Sequence, residues 1–377
     1  MAHDLRSSHQ TFQAVTHDRF HDARSAWEPA DSSCRGAVLL VVLIVFSALS
    51  LLAFGLCHRV RLELKITRMQ SDELRSYHLA LGGIRRAMAA LRADEDREVD
   101  HFGEAWRLDT SATEEAFFQG QDGVRPGEYE LSYATSDEEG RLNVNTSSPA
   151  GWATLPGLSE PVVYSILDWQ DEDDHVGPGG AESPEYLQAP YGYRAKNGPI
   201  TMVWELARVM HVDWFLFLGE DANGNYLLDS PEEDDGPRRR PEDNADGTLD
   251  LGILDYFTVY GDGKINLNTA SEPVMAAIPG ISAESARRLA DYRVGADGQA
   301  FTADDRFFTS FSDLTQVQGL TDLDVELLSQ HGTFRSSHFR IVSQALNRED
   351  ARGIRLIGTV RRDGDGVRLV LLHRVRM

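Results

Sequence analysis

The sequence is poor in cysteine and in positive charge. Its two cysteines, Cys34 and Cys57, flank one apolar run near the N-terminus, so disulfides cannot hold the remaining chain. Lys and Arg number 37 against 60 Asp and Glu, which gives a net charge of −23. A surface of this sign repels nucleic acid phosphates and anionic lipid head groups, and it suits cations. The body must therefore rest on a hydrophobic core, with metal ions as candidate supports.

Enzyme signatures are also missing from the sequence. It contains no P-loop, no HExxH, no GxSxG and no CxxC pair. No nucleophile is accompanied by a recognisable base at a typical spacing. The sequence therefore predicts a structural protein rather than an enzyme.

One long apolar run is present. Residues 36–57 form 22 positions without a charge, which span roughly 33 Å as a helix, about one hydrocarbon core. The apolar core of a signal peptide is shorter, at about 7–15 residues. Apolar residues continue at helical spacing as far as position 91. We predict one helix over 37–93, with residues 37–57 in a membrane.

The orientation of this helix is ambiguous on charge. Four basic residues lie between positions 59 and 68, and only Arg35 immediately precedes the run. A positive-inside count places the C-terminal body in the cytoplasm. The junction Arg35-Gly36-Ala37, however, has the layout of a prepilin-type leader. Such a leader is cut after the glycine on the cytoplasmic side, which places the body outside.

Alternating patterns predict strands at two places. Residues 129–133 and 142–145 alternate around a turn, which predicts a β-hairpin. Residues 338–345, 353–361 and 367–375 alternate in the same way and predict a three-stranded antiparallel meander.

The region between these strands, residues 146–335, is mostly helical and loop-like in pattern. The predicted fold class is therefore α+β. A long N-terminal helix packs on an antiparallel β-sheet, and a large α-helical domain is inserted between sheet strands.

The inserted region contains an internal repeat. Residues 142–146 (LNVNT) precede 155–159 (LPGLS), and residues 265–269 (INLNT) precede 278–282 (IPGIS). Both matches fall at one offset of 123 residues, as expected for a duplicated unit. Each copy predicts a short strand, a helix, a tight Pro-Gly turn and a second helix, which is the pattern of a helix-hairpin-helix unit.

Such hairpins suggest DNA binding or a packing role. A DNA-binding hairpin presents its loop to a phosphate, with basic residues nearby. Here Glu160 and Glu284 lie beside the two turns instead. We therefore expect modules for packing or protein contact.

Two acidic clusters are candidate calcium sites, with a solvated loop as the alternative in each case. The oxygen ligands offered by the first cluster are Asp168, Asp171, Asp173, Asp174 and Glu182. Trp169 and Tyr186 lie within this cluster and indicate a packed loop rather than a solvated one.

The second cluster has the spacing of an EF-hand loop. Its side-chain ligands at positions 1, 3, 5, 9 and 12 are Asp221, Asn223, Asn225, Asp229 and Glu232. Leu227 offers a carbonyl at position 7. Tyr226 stands where the turn glycine belongs, although Gly224 lies nearby.

In their order, these motifs resemble the minor pseudopilin K family of type II (general) secretion systems. The resemblance covers about residues 35–345. It is carried by Arg35-Gly36-Ala37 and its helix, residues 142–146, Asp168-Trp169-x-Asp171-x-Asp173, Gly180-Ala181-Glu182 with Tyr186, and residues 265–269 with Pro279-Gly280.

The resemblance implies a domain layout. Its parts are a leader (1–36), the transmembrane part of the helix (37–57), a pilin-like helix with first strands (58–145), the inserted α-domain (146–335) and C-terminal strands (336–377). A prepilin peptidase would cut between Gly36 and Ala37, and Ala37 would be methylated.

The resemblance also implies partners and a place. The protein would cross the inner membrane once, with its body in the periplasm. It would assemble with minor pseudopilins I and J and with the major pseudopilin, and calcium would bind in the α-domain. Nucleic acid is not expected as a partner.

Position five of the mature helix is Val41. Ordinary pilins carry a glutamate there that pairs with the N-terminal amine of a neighbouring subunit, since an unpaired charge in lipid is costly. A subunit without this glutamate suits the tip of the pseudopilus. The alternatives are a membrane-tethered helix-hairpin-helix DNA-binding protein of a competence-type uptake system, and a calcium-dependent adhesin.

Overall fold

The computed structural model describes most of the chain. The described residues are 33–107, 128–188, 192–221, 249–349, 352–364 and 366–376. Most of the expected leader and four expected calcium ligands lie outside these ranges, the ligands being Asn223, Asn225, Asp229 and Glu232.

Helix α1, Ser33–Ala93, confirms the predicted long helix. Contacts divide the chain into two compact units, one ending at Thr67 and one beginning at Arg68. In the first unit, the large apolar side chains between positions 38 and 56 are exposed. The helix is long and apolar enough to cross a membrane.

In the second unit, α1 packs on one antiparallel sheet. The strands, in sheet order, are β1 (Tyr129–Asp137), β6 (His338–Asn347), β7 (Gly353–Asp363) and β8 (Gly366–Arg376). The helix buries Leu79, Ile84 and Leu91 against Phe339, Ile341 and other side chains of the sheet. The spacing of these helix positions is the expected apolar stripe. The predicted C-terminal meander, β6-β7-β8, is therefore confirmed.

Gly83 lies where the helix meets the sheet. A Cβ atom at this position would overlap the side chain of Ser343 on β6 and would lie 3.4 Å from Tyr133 Cβ on β1. The sequence suggests Gly82 and Gly83 as a bend, but the contact gives Gly83 another role. It lets the helix backbone approach the sheet closely.

The predicted hairpin of residues 129–145 is wrong. Strand β1 pairs with β6, from Tyr129 opposite Asn347 to Asp137 opposite Phe339. Residues 142–143 form strand β2, which pairs in parallel with β3 (Phe257–Thr258). Apolar-polar alternation over four residues indicates a strand but does not determine which strand it pairs with. Here the paired strand, β3, is distant in the sequence.

The inserted region consists of two repeats, which we call the first repeat (residues 142–258) and the second repeat (residues 265–333). The first contains β2 (Leu142–Asn143), α2 (Pro149–Trp152), α3 (Glu160–Gln170), α4 (Ser183–Gln188), a 3₁₀ helix (Val203–Arg208), α5 (Trp214–Leu218), α6 (Ile253–Tyr256) and β3. The second contains β4 (Ile265–Asn266), α7 (Glu272–Ala276), α8 (Ala283–Arg293), a 3₁₀ helix (Phe311–Gln316), α9 (Asp322–His331) and β5 (Gly332–Thr333). In each repeat the first strand pairs in parallel with the last.

The repeats share local contacts at the predicted offset. Gly157 and Gly280 both have positive φ, at 78° and 85°, and a Cβ atom at either would meet a leucine Cδ1 at 2.7 Å. Glycine is therefore required at the turn between the two helices of each unit. One continuous hydrophobic core runs through both repeats.

An asparagine in each repeat holds a distant backbone segment. Asn145 donates to Ile200 O at 2.9 Å and accepts from Ile200 N at 2.8 Å. Asn268 binds Phe308 in the same way, at 2.9 Å and 2.7 Å. This double hydrogen bond accounts for the second asparagine of the Asn-x-Asn-Thr motif in both repeats.

Candidate metal centre

The first acidic cluster comes together at the end of helix α3. Asp168 lies in its last turn, Asp171 caps its C-terminus, and Glu182 directly precedes α4. One carboxylate oxygen from each of the three lies within 4.8 Å of the others. The structure thus brings together three of the five ligands predicted for this cluster.

Glu182 is the unusual member of this group. Its residue is fully buried, and neither carboxylate oxygen has a hydrogen-bond partner among the described groups. Burial and, after it, the negative charges of Asp171, Asp168 and Asp174 raise the pKa of Glu182 to about 7. A buried carboxylate without a partner is costly, because its charge has lost water and gained nothing in exchange.

Asp168 is fixed by a glycine-rich turn. The Gly177 amide donates to both of its carboxylate oxygens, at 3.2 Å and 3.1 Å. A Cβ atom at Gly177 would lie 2.9 Å from Asp168 Oδ1, and one at Gly180 would overlap the other oxygen. The turn can therefore wrap this carboxylate only with glycine at these positions. Burial raises the pKa of Asp168 nonetheless.

An aromatic wall lies behind the three carboxylates. Trp169 and Tyr186 are buried, with ring centroids 5.2 Å apart, and Tyr193 stacks on Tyr186 at 5.6 Å. The Tyr186 hydroxyl accepts a hydrogen bond from Met210 N at 2.9 Å. The two aromatic side chains are packed as expected, but they lie in the flanking helices, and residues 171–176 of the acidic loop are exposed.

The other two predicted ligands lie outside this group. Asp173 is exposed and interacts with His175, whose backbone N–H and ring nitrogen lie 2.8 Å and 3.1 Å from the same carboxylate oxygen. These hydrogen bonds lower the pKa of Asp173. Asp174 is also exposed, and it acts on Glu182 only through its charge.

The arrangement suits a hard cation. Three carboxylates meet within 4.8 Å, and calcium prefers six to eight oxygen ligands from carboxylates, carbonyls and water. A cation here would offset the repulsion among the acids and give Glu182 a partner. Asp168, Asp171 and Glu182 are therefore the residues that would hold it.

The second predicted calcium site is described only at its edges. Asp221 is buried, and residues 222–248 lie outside the described ranges. The neighbouring Glu220 donates its backbone N–H to Asp250 O at 2.7 Å, and its side chain accepts from Asp250 N at 2.9 Å. The two ends of the acidic segment are thus bound to each other.

A second carboxylate group was not foreseen from the sequence. Asp94, Asp100 and Glu104 also place oxygens within 4.8 Å of one another. Arg362 donates to Asp94 and to Asp100 at 2.6 Å, and Trp106 Nε1 donates to Glu104 at 2.7 Å. Protein donors therefore satisfy this group, unlike Glu182. No sequence pattern links position 362 to positions 94–104.

Burial raises the pKa values in and beside this second group. The pKa of Asp100 rises to about 7 and that of Glu104 to about 8. The neighbouring Asp137 also reaches about 7, because burial and the charge of Glu139 outweigh its hydrogen bonds. Its carboxylate accepts from Asn266 and Thr269, at 2.9 Å and 2.6 Å. The second repeat is thus joined to the sheet through the carboxyl group of Asp137 on β1.

Comparison with known proteins gives three findings. A family model described as type II secretion system (T2SS), protein K, matches residues 152–216, which include the three clustered carboxylates. The type II secretion system protein K of Pseudomonas aeruginosa is 29% identical over 357 residues, covering 88% of this chain and 90% of that protein. A chain in the crystal structure of the GspK-GspI-GspJ complex from the enterotoxigenic Escherichia coli type 2 secretion system aligns with a TM-score of 0.52. It is 15% identical and covers 82% of this chain and 99% of its own length, a likeness in fold.

Proposed function

We propose that this protein of the type II secretion system K family is a calcium-stabilised minor pseudopilin at the tip of the pseudopilus. The observation that carries the assignment is helix α1. Its N-terminal part is exposed and apolar, and its C-terminal part is buried on an antiparallel sheet. A single element of this kind can cross a membrane and also hold a folded body.

The helix supports a single-pass inner-membrane anchor with the body in the periplasm. A prepilin peptidase removes the leader after Gly36, and Ala37 becomes the methylated N-terminus. The side chain of Val41 is 56% exposed on the helix, so it offers an apolar surface where a pilin offers a carboxylate. A subunit at the tip needs no carboxylate at this position, because no later subunit brings an N-terminal amine to pair with it.

The two repeats act as protein-contact modules in this proposal. Helix-hairpin-helix loops that bind DNA use basic residues near the turn, whereas Glu284 next to the second turn forms an ion pair with Arg288 at 3.0 Å. Arg287, the adjacent base, also lies near Glu284, at 3.8 Å, and near Asp291, at 3.9 Å, so the positive charge beside this turn is offset by acids. By analogy with the complex of the structural relative, the partners are minor pseudopilins I and J.

Calcium is assigned to the site formed by Asp168, Asp171 and Glu182. Its support is the buried carboxylate of Glu182, which has no protein partner in the described chain. Bound calcium would stabilise the folded body by mass action, since the unfolded chain lacks the site. Calcium has no catalytic role here, and we assign no enzymatic activity.

The function is tested by purifying the full chain from membranes after co-expression with minor pseudopilins I and J. We expect a complex with one copy of each of the three proteins. Recovery of the chain alone, with retention on DNA at low salt, would favour the tethered DNA-binding protein instead. Several copies of this chain in one complex would contradict the tip position.

A further inference from the structure

The turns of helix α1 that follow the apolar run carry a net positive charge. Residues 58–67, which end the first compact unit, contain the bases Arg59, Arg61 and Lys65 and the single acid Glu63. The whole chain has a net charge of −23. Positive charge at this place is therefore a local feature that the overall composition does not predict.

Two faces of this segment differ in how their charges are paired. Arg59 Nε lies 3.2 Å from Glu63 Oε1, one turn away, and both side chains are exposed. Arg61 and Lys65 are exposed too, but they form no hydrogen bond or ion pair with any described residue. Two positions along a helix differ by about 200° in direction. The unpaired bases therefore lie on the side of the helix opposite the Arg59–Glu63 pair.

The like charges of Arg61 and Lys65 repel each other. The two residues are four positions apart, so their side chains are neighbours on the helix surface. No acidic residue stands three or four positions from either base in the sequence, although a helix places the partner of an ion pair at that spacing. An anion from outside the chain would remove this repulsion.

The distance of these two bases from the apolar run matches the depth of lipid head groups. Along the helix, Arg61 lies about 6 Å beyond Cys57 and Lys65 about 12 Å beyond it. The head-group region adds roughly 5–8 Å to each side of the hydrocarbon core, and a lysine side chain can bend back toward it. The apolar side chains between the charges are 45–54% exposed, and they are Val60, Leu62, Leu64 and Ile66. Exposed apolar residues interleaved with bases are typical of a helix at a lipid interface.

We propose that Arg61 and Lys65 bind the phosphate groups of anionic lipids in the leaflet at the Cys57 end of the membrane span. The guanidinium of Arg61 can bind two phosphate oxygens, and Lys65 adds a point charge. Lipid is favoured over an acidic protein surface because the pair begins about one turn after the apolar run. The proposal rests on the membrane anchor of the proposed function, and neither calcium nor the tip position enters it.

Lipid binding also accounts for the conflict between the positive-inside count and the prepilin-type leader. The bases after the run make that count place the body in the cytoplasm. Bases that bind phosphates in the leaflet on the side of the body have a function there, and they are compatible with a periplasmic body.

The test places the full chain in lipid nanodiscs and measures which lipid surrounds the end of the span. Cys34→Ser leaves Cys57, which is free and exposed, as the single attachment site for a fluorophore. Brominated phosphatidylglycerol (anionic) or brominated phosphatidylcholine (zwitterionic), at equal mole fraction, quenches the fluorophore on contact. We expect phosphatidylglycerol to be enriched about fivefold beside Cys57, the scale of one basic residue at an anionic surface. Salt at about 1 M should remove most of this enrichment.

Two double variants separate the unpaired face from the paired one. Arg61→Gln with Lys65→Gln should abolish the enrichment of phosphatidylglycerol. The matched control, Arg59→Gln with Glu63→Gln, replaces as many charged side chains without changing the net charge, and it should keep the enrichment. Both variants should leave the melting temperature of the body unchanged, because all four side chains are exposed.

Equal quenching by the two lipids in the unmodified chain would overturn the proposal and would leave an acidic protein surface as the candidate partner. Equal loss of enrichment in both double variants would also overturn it, since the effect would not belong to Arg61 and Lys65. Failure of the chain to enter nanodiscs would contradict the membrane anchor, and the proposed function would then fail together with this inference.

Discussion

The first and second repeats have the same local structure but are stabilised in different ways. Both have a positive-φ glycine between two helices and an asparagine that binds a distant backbone segment. In the first repeat, the loop after α3 contains Glu182, whose carboxylate has no hydrogen-bond partner among the described residues. In the second, Asn266 donates to the carboxylate of Asp137 at 2.9 Å and joins the repeat to the sheet. A duplicated fold can therefore keep its backbone contacts while the contacts of its carboxyl groups change.

The largest expected difference concerns the two asparagines. Asn268 is buried, and Asn268→Ala would leave the backbone N–H and C=O of Phe308 without partners. We expect a loss of about 2–4 kcal/mol in the free energy of unfolding. Asn145 is exposed, so Asn145→Ala lets water replace the lost bonds at Ile200 and should cost about 1 kcal/mol or less.

Chemical denaturation of the two variants measures this difference. If both variants lost the same free energy of unfolding, the solvent exposure of the asparagine would not determine the size of that loss. A larger loss for Asn145→Ala would reverse the comparison between the repeats.

Calcium should give the next largest effect, and only through the first repeat. At a calcium concentration about a hundredfold above the dissociation constant, binding adds about 2.7 kcal/mol. For a body of this size that raises the melting temperature by about 5 °C or more. Asp168→Asn should reduce this increase. The matched control is Asp291→Asn at the equivalent, exposed position of the second repeat, which should leave the increase unchanged.

Thermal melting of the membrane-extracted chain in calcium and in chelator checks this prediction. Equal melting temperatures in the two solutions would exclude calcium stabilisation. If Asp291→Asn removed the calcium-dependent rise in melting temperature, the ion would bind in the second repeat, contrary to this prediction.

The smallest effect is a pH dependence at the junction of the second repeat. The folded protein holds protons on Glu104, Asp100 and Asp137 up to pKa values of about 7 to 8, whereas these acids ionise near pH 4 when unfolded. The folded state thus binds more protons between these values, and stability falls as pH rises through that window.

Glu104→Gln is the variant that tests this sign. The amide oxygen can accept from His101 N and Trp106 Nε1 as the carboxylate does, but it no longer titrates. In chelator, the melting temperature should fall between pH 5.5 and 8.5, and the variant should reduce the fall by about 2–3 °C. A rise in stability over the same range would contradict the raised pKa values.

The sequence predicts those parts of the fold that depend on local pattern. The length of the apolar run and its helical continuation predict α1, and strict alternation predicts the C-terminal meander. The offset of 123 identifies the repeats. The equivalence extends further than the sequence suggests, because the 3₁₀ helices at Val203–Arg208 and Phe311–Gln316 correspond at an offset of 108. The loops before the two 3₁₀ helices differ in length, so this second offset cannot be recognised in the sequence.

The parts that the sequence does not predict depend on distant contacts. The short strand at residues 142–143 has the right pattern for a hairpin, yet its partner lies more than a hundred residues away. Arg362 and Asp94 form one buried ion pair although 268 positions separate them in the sequence. Spacing predicts Asp168, Asp171 and Glu182 as candidate ligands of one site, and the structure brings their carboxylates together. Spacing cannot show that Glu182 is buried without a partner, since burial depends on the whole repeat.

The most direct test of the pseudopilin assignment is the mature N-terminus of the membrane form, determined by mass spectrometry. We expect the chain to begin at Ala37 with a methylated amine, and Gly36→Ala to block removal of the leader. Gly55→Ala is the control in the same helix, since a Cβ atom there meets nothing within 4 Å. A mature chain that begins elsewhere, or normal processing of Gly36→Ala, would contradict the assignment.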